Sequence, residues 1–396
     1  MPSSHVSVGD PTRAVFDLLR DLVRTPSYPG IAAQETEVVR ALAGYLDAHA
    51  IACEVTEAAE GRPNLVAHVN ATEPGPHLLL CGHTDTVPPN VGAESAGLGI
   101  RETNGVLYGR GTVDMKGALS AMAGTMVQLK SQLRRGRVSL AAVADEEMQS
   151  LGAEALIRSG FRAEAAIIGE PTAFQIAIGH KGLEWLNVDF IGRAAHGGAA
   201  KDGISAISAA ALFVHLVNTE LVETFEQRRD PVLGLPTINM GTIHGGDQPS
   251  TVAGHCRIQL DRRWVTTETV DGVFGDLETI LARVRDAYPG LSTSLTRVPD
   301  GMLTMVHGPV VTAQDHPVVA AAREALVHHQ MTPTLTVFPA WTDASLLGRE
   351  AGMATIVWGP GDLKVAHTTE EHIALADVSR AVDVYTAAAL RFTSGR

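Results

Sequence analysis

At 396 residues, with 45% hydrophobic and 19% charged residues, the chain has the composition of an ordinary globular protein and is long for a single hydrophobic core, so two domains are expected. A formal net charge of −13 works against nucleic-acid and anionic-membrane partners, which repel an acidic surface, and leaves small molecules as the expected ones. Cys53, Cys81 and Cys256 are odd in number and form no CxxC pair; they fit buried small hydrophobes in a reducing compartment. The N-terminus has neither a basic segment nor a long apolar one, and no apolar run approaches the length that spans a bilayer, so a cytoplasmic location is expected.

In chain order, residues 12–24 and 34–49 carry apolar residues at helical spacing. Short apolar runs then alternate with helical segments: HLLLC (77–81), GALSAMAGTMVQLKSQL (117–133), RVSLAAVAD (137–145), AEALIRSG (153–160) and AAIIGE (165–170). That alternation predicts an α/β unit with a largely parallel sheet. From about residue 181 the texture changes to LEWLNVDFIG, a helix-like stretch from Ile204 to Glu226, TINMGTIHGG, AGHCRIQLDRRW, a helix near 270–287 and STSLTRV, an α+β arrangement. After about 298 the α/β texture resumes, with a helix near 317–329 and a strand at 354–359. The expected architecture is a catalytic domain built from 1–180 and 298–396, interrupted by a smaller domain at 181–297.

Open α/β sheets bind ligands beyond the carboxyl ends of their strands, and polar residues gather there in this sequence. HLLLC leads to His83 and Asp85, LYGRG to Asp114, RVSLAAVAD to Glu146 and Glu147, AAIIG to Glu170, and ATIVWGPG to His367. Taken singly each has a bland explanation: a loop histidine, an acidic pair at a helix N-terminus, an acid ending a strand before Pro171. Together they crowd acids that would repel one another without a cation among them, and imidazole with carboxylate but no thiolate suits zinc or a similar divalent metal. One bridging carboxylate can hold two such ions roughly 3.5–4 Å apart. GRGTVD lacks the last glycine of a GxGxxG fingerprint, so its glycines are read as the turn that aims Asp114.

GHTDTVPP (82–89), GRGTVDMKGALSAM (109–122), DEEMQSLGA (145–153), GEPT (169–172) and GPG followed by AH (359–361, 366–367) resemble, in order, the signature of the M20 metallopeptidases and deacylases, which include acetylornithine deacetylase, succinyl-diaminopimelate desuccinylase and glutamate carboxypeptidase. The resemblance implies a catalytic domain with a mixed, mostly parallel α/β sheet of the zinc-exopeptidase kind and an inserted α+β, ferredoxin-like lid and dimerisation domain. It implies two divalent metals, zinc foremost with cobalt or manganese as substitutes, one held by His83, Asp114 and Glu170 and the other by Asp114, Glu147 and His367. Asp85 would orient a ligand, and Glu146 would move a proton from the attacking water to the leaving amine. The peptide bond after Asp114 would be cis.

In the insert, RAAHGGAAKDGISAI resembles the segment whose histidine, here His196, stabilises the oxyanion, often in the neighbouring subunit of a homodimer. INMGTIHGG and CRIQLDRRW resemble the segments whose asparagine (Asn239) and arginine (Arg263, with Arg262 the alternative) meet a substrate carboxylate. The sequence departs from the family pattern at Pro249–Gly254 and in the alanines around His196. The reaction so implied is deacylation of a small N-acyl amino acid bearing a carboxylate; cleavage of a dipeptide or a carboxypeptidase reaction is the alternative, and a metal-binding protein without catalysis a third, disfavoured by the retained Glu146.

Overall fold

The computed structural model describes residues 10–32, 34–90, 100–299 and 305–395. The first nine residues, weighed above as a leader, lie outside them. The chain divides into two compact units, one of residues 1–179, 312–338 and 342–396, the other of 180–311 and 339–341.

The first unit opens with helices α1 (Pro11–Arg24) and α2 (Thr36–Ala48). Asp10 caps α1 by accepting from the Thr12 amide, Pro11 pre-sets its first turn, and Val15, Leu18, Leu19, Leu22 and Val23 form its buried stripe. Each such side chain contributes about 1.5–3 kcal/mol on full burial. The strands β1 (Cys53–Ala59), β2 (Arg62–Asn70) and β3 (Glu73–His83) follow, then the short β4 (Arg101–Thr103) and β5 (Val106–Tyr108), helix α3 (Gly117–Gln132), β6 (Arg135–Val143), α4 (Leu151–Arg158), β7 (Ala165–Ile168) and β8 (Ile176–His180).

The second unit holds β9 (Gly182–Ile191), α5 (Ala206–Leu216), β10 (Thr237–Gly245), β11 (His255–Trp264), α6 (Val270–Ala287), β12 (Ser292–Arg297) and the two-residue β13 (Val310–Val311). The chain then supplies α7 (Pro317–His328), β14 (Leu335–Phe338), α8 (Ala344–Arg349), β15 (Ala354–Val357), β16 (His372–Ala374) and α9 (Leu375–Ser394).

In the first unit the main sheet runs β1-β2-β6-β3-β7-β15-β8, with β14 also on β8. Its centre is parallel, β6 with β3, β3 with β7 and β7 with β15, while β1, β2 and β8 join antiparallel. The central strands are buried along most of their length, as a sheet covered on both faces requires. A separate antiparallel sheet, β16-β5-β4, carries the segment before Asp114. The catalytic architecture is thus α/β with a mixed, mostly parallel sheet.

The second unit has a βαββαβ order and a wholly antiparallel sheet β10-β11-β9-β12, the ferredoxin-like arrangement. Residues 298–299 and 305–311, placed from sequence in the first domain, belong to this unit. The Val298 amide extends the β12 pairing to the Trp185 carbonyl, and the Leu183 amide returns to the His307 carbonyl. The stretch Ala206–Arg228 is also long and apolar enough to cross a membrane by length and composition, contrary to the expectation from sequence. It folds as α5 followed by a π-helical turn and a 3-10 segment, and Phe213, Leu216, Val217, Leu221 and Phe225 from it lie in the core of this unit. Its apolar character is used there, against β9, β11 and α6.

Candidate metal centre

The site lies at the carboxyl ends of the parallel strands of the first unit. His83 ends β3, the turn from Asp145 to Glu147 follows β6, Glu170 follows β7, and the loop carrying His367 follows β15. Gly359 lies so close to the carbonyls of Gly169 and Glu170 that a Cβ would stand 2.4 Å from the first, so only glycine lets these two turns meet.

Asp114 arrives differently. It leaves the small sheet, not the main one, and its turn is set by long-range bonds. Gly111 has φ 82, a conformation that favours glycine, and the buried Glu371 carboxylate accepts from the amides of Val113 (3.2 Å) and Asp114 (3.4 Å). Glu371 also pairs with Arg110, and its carbonyl accepts from the Gly109 amide at 3.0 Å. Buried Lys116 fixes the far end of the turn by donating to the carbonyls of Leu22 (2.9 Å) and Thr25 (2.8 Å) at the end of α1. The Asp114–Met115 peptide bond is cis.

Two groups of potential ligand atoms result, His83 with Asp114 and Glu170, and Asp114 with Glu147 and His367, each with its atoms within 4.8 Å of one another. Asp114 belongs to both and divides its oxygens between them. Its Oδ1 lies 3.0 Å from His83 Nε2, and its Oδ2 lies 3.1 Å from His367 Nε2. His83 Nε2 is 3.7 Å from Glu170 Oε1, and His367 Nε2 is 3.1 Å from Glu147 Oε1.

The other nitrogen of His83, Nδ1, faces the Asp85 carbonyl at 3.0 Å and its Oδ1 at 3.4 Å, which leaves Nε2 for the cluster. The Asp85 carboxylate has a second task. Its two oxygens accept from the amides of Glu146 (3.1 Å) and Glu147 (3.0 Å), so one buried acid orients the histidine and ties the acidic turn to β3.

Electrostatics tests whether these residues suit cations. Burial and the neighbouring Glu170 push the Glu146 carboxyl well above the ordinary range, and burial with Asp114 does the same to Glu170. Glu170 Oε1 is buried without a hydrogen-bond partner among the described residues. Asp114 is held low, burial being outweighed by hydrogen bonds from His367 and His83. His367 is pushed up to about 10 by Asp114 and Glu147, and His83 is raised as well, its acidic partners overcoming burial. The cluster therefore draws positive charge toward two points that share Asp114, and an oxygen–nitrogen donor set of this kind fits divalent cations.

Of the expected residues of the second unit, Asn239 and Arg263 lie on its sheet and His196 in the loop after β9. Strand alternation turns Arg262 inward, where it is buried, pairs with Glu268 and lies over the Phe225 ring at 4.6 Å. Arg263 therefore takes the open face, its Nε and Nη2 bound to Asp261 Oδ1 (2.7 Å) and Oδ2 (2.9 Å). Asp261 is paired in register with Asn239 on one side and Trp185 on the other, and the Trp185 indole donates to it at 3.0 Å. His196 is exposed; its Nδ1 accepts from the Gly198 amide at 3.1 Å, leaving Nε2 as the ring donor. Glu371, Lys116 and Asp261 were missed from sequence. Only the D-x-R spacing of Asp261 and Arg263 offered a local signal.

Residues 79–391 match the peptidase family M20/M25/M40. The chain belongs to this family. It is similar to the acetylornithine deacetylase of Aliivibrio fischeri, 28% identical over 88% of this chain and 89% of that one. Against the acetylornithine deacetylase of Photorhabdus laumondii it is 29% identical over 90% and 92% of the two chains. Among solved structures, an aminopeptidase from Bacillus cereus shares the fold, with a TM-score of 0.78 at 20% identity over 98% of this chain and 99% of that one. As an M20 member the chain is a metal-dependent hydrolase acting on amide or peptide bonds.

Proposed function

We propose that the chain is a deacylase of small N-acyl amino acids. The observation that carries this reading is the pair of ligand groups joined through Asp114, with Glu146 beside them, in a chain whose relatives are acetylornithine deacetylases. His83, Asp114 and Glu170 would hold one divalent cation and Asp114, Glu147 and His367 the other, with zinc foremost and cobalt or manganese as substitutes. When bound, such ions polarise the amide carbonyl and make water nucleophilic near neutral pH.

The chain's own residues supply proton transfer and binding. Glu146 takes the proton of the attacking water and hands it to the departing amine. Asp85 fixes the ring of His83 and the backbone of Glu146. His196 supplies an N–H to the oxyanion, a contribution of roughly 3–4 kcal/mol for a preorganised donor. Arg263 takes the substrate carboxylate. With its Nε/Nη2 edge committed to Asp261, the Nη1/Nη2 edge of the guanidinium remains for a second bidentate pair, and Asn239 adds an amide. The first unit, built from the segments before residue 180 and after residue 311, is the catalytic part, and the second unit is the lid through which the protein forms a homodimer in the cytoplasm.

The test is amine release from matched N-acetyl, N-succinyl and N-formyl amino acids and dipeptides by zinc- or cobalt-reconstituted protein, with Glu146→Ala as the blank. Turnover of N-acyl amino acids is expected. Turnover of dipeptides alone would replace the deacylase reading with a peptidase one.

A further inference from the structure

The turn that carries Glu146 is held from two sides, and the second involves residues without a place in either ligand group. Asp145, immediately before Glu146, has φ 71, a left-handed conformation that non-glycine residues rarely adopt. Its carbonyl accepts from the amides of Gln149 (3.1 Å) and Ser150 (2.6 Å), which closes the turn. Its side chain is gripped from the start of β2: Arg62 Nη2 donates to Asp145 Oδ1 at 2.7 Å.

Arg62 is itself fixed. Its Nε donates to Glu35 Oε2 at 2.6 Å and its Nη2 also bonds Glu35 Oε1, while the Glu35 side chain is 0% exposed and that of Arg62 15%. A carboxylate is rarely buried so completely, and here both its oxygens accept from Arg62 and set the direction of one guanidinium. A lysine could not do the same, because it lacks a planar fork that addresses two carboxylates at once.

We propose that Arg62 is a positioning residue for the general base: oriented by Glu35, it pins Asp145 in its left-handed conformation and so aims the Glu146 carboxylate. Asp85 holds the backbone of the turn at the Glu146 and Glu147 amides; Arg62 holds the residue before them, and the two anchors together fix the backbone from which the Glu146 side chain projects. The inference rests on Glu146 as the base. A purely structural staple between β2 and the start of α2 would have the same Arg62–Glu35 contact but no need of Asp145.

The test uses the full-length, metal-reconstituted protein and the double variant Glu35→Gln/Arg62→Met, which removes the Glu35–Arg62 pair and leaves the Asp145 carboxylate without its grip, each with and without Glu146→Ala. Denaturation midpoints establish folding, and metal stoichiometry is measured directly. In the otherwise unaltered protein, kcat on an N-acyl amino acid should fall about 10–100-fold, as for a misplaced reacting group, with KM and metal stoichiometry nearly unchanged. In the Glu146→Ala background the same double variant should remove little further activity, since it acts through the missing base. An unchanged kcat, an equal loss in the Glu146→Ala background, or loss of metal would overturn the proposal. Retention of full turnover by Glu146→Ala alone would instead overturn the base assignment and the inference with it, an outcome read before any Arg62 variant. Asp145→Gly supplies the complementary check. Glycine accepts φ 71 without help, but it removes the carboxylate that Arg62 grips, so impaired kcat is expected and a wild-type value would show that the grip is dispensable.

Discussion

The carboxyl end of the first unit's sheet and the open face of the second unit's sheet both gather charged residues, yet they are built in opposite ways. In the first, His83, Asp85, Asp114 and Glu371 are all less than a tenth exposed, and their partners come from segments tens to hundreds of residues apart. In the second, Arg263 and Asp261 are each about a quarter exposed and pair within one strand. Burial raises the penalty for an unpaired charge, so the first cluster needs every partner. Water partly screens the second, so its residues can be exchanged without unfolding the unit. The departures from the family pattern, at Pro249–Gly254 and around His196, fall in the second unit.

The largest expected effect tests the chemistry of the buried end. Glu146→Ala should lower kcat by about 10²–10⁴-fold, the range for a lost general base, with two metal equivalents still bound by direct metal analysis. Full metal loss instead would make Glu146 a ligand. Next comes the scaffold of the same end. Glu371→Ala leaves Arg110 buried without its partner and the Val113 and Asp114 amides without their acceptor, so stability should fall by about 3–5 kcal/mol in denaturant titrations. A change under about 1 kcal/mol would place Glu371 with the screened pairs and erase the contrast.

For the open face, Asp261→Asn should change stability by less than about 1 kcal/mol. The same variant should raise KM for carboxylate substrates while sparing kcat, because the guanidinium loses the group that orients it. A fall in kcat at constant KM would move Asp261 out of substrate binding.

The smallest effect concerns pH and reaches both units. Burial and Arg137 lower His77 to about 4, and burial with Arg297 and His180 lowers His307 to about 4. An unfolded histidine titrates near 6.5, so between about 6.5 and 4 the unfolded chain binds more protons and stability falls with acidification. Above that window neither group contributes a pH slope. Thermal midpoints of His77→Gln and His307→Leu should lose less on going from pH 7 to pH 5 than those of the unaltered protein; an equal loss would assign the acid sensitivity elsewhere.

Much of the first unit could be read along the chain because each element obeys a local rule. The parallel strands are short apolar runs, and the residues just past them, His83, Glu146, Glu147 and Glu170, are polar where a strand end must meet solvent or a ligand. Alternation along β11 likewise separates Arg263 from Arg262 once the strand's inner face is known, but the sequence alone left both in play. The small β16-β5-β4 sheet, the part played by Glu371, the grip of Arg62 on Asp145 and the extension of the second unit to Val311 had no such signature. Each depends on distant partners, Arg62 on Glu35 27 residues away and Glu371 on the Val113 amide 258 residues away, and a hydrogen bond between distant segments leaves no periodic trace in either. Sequence determined which residue types could bind metal and move a proton, because donor chemistry belongs to single side chains. Tertiary structure decided which oxygen of Asp114 faces which histidine and which backbone amides Asp85 holds, because direction is fixed only when the chain has closed on itself.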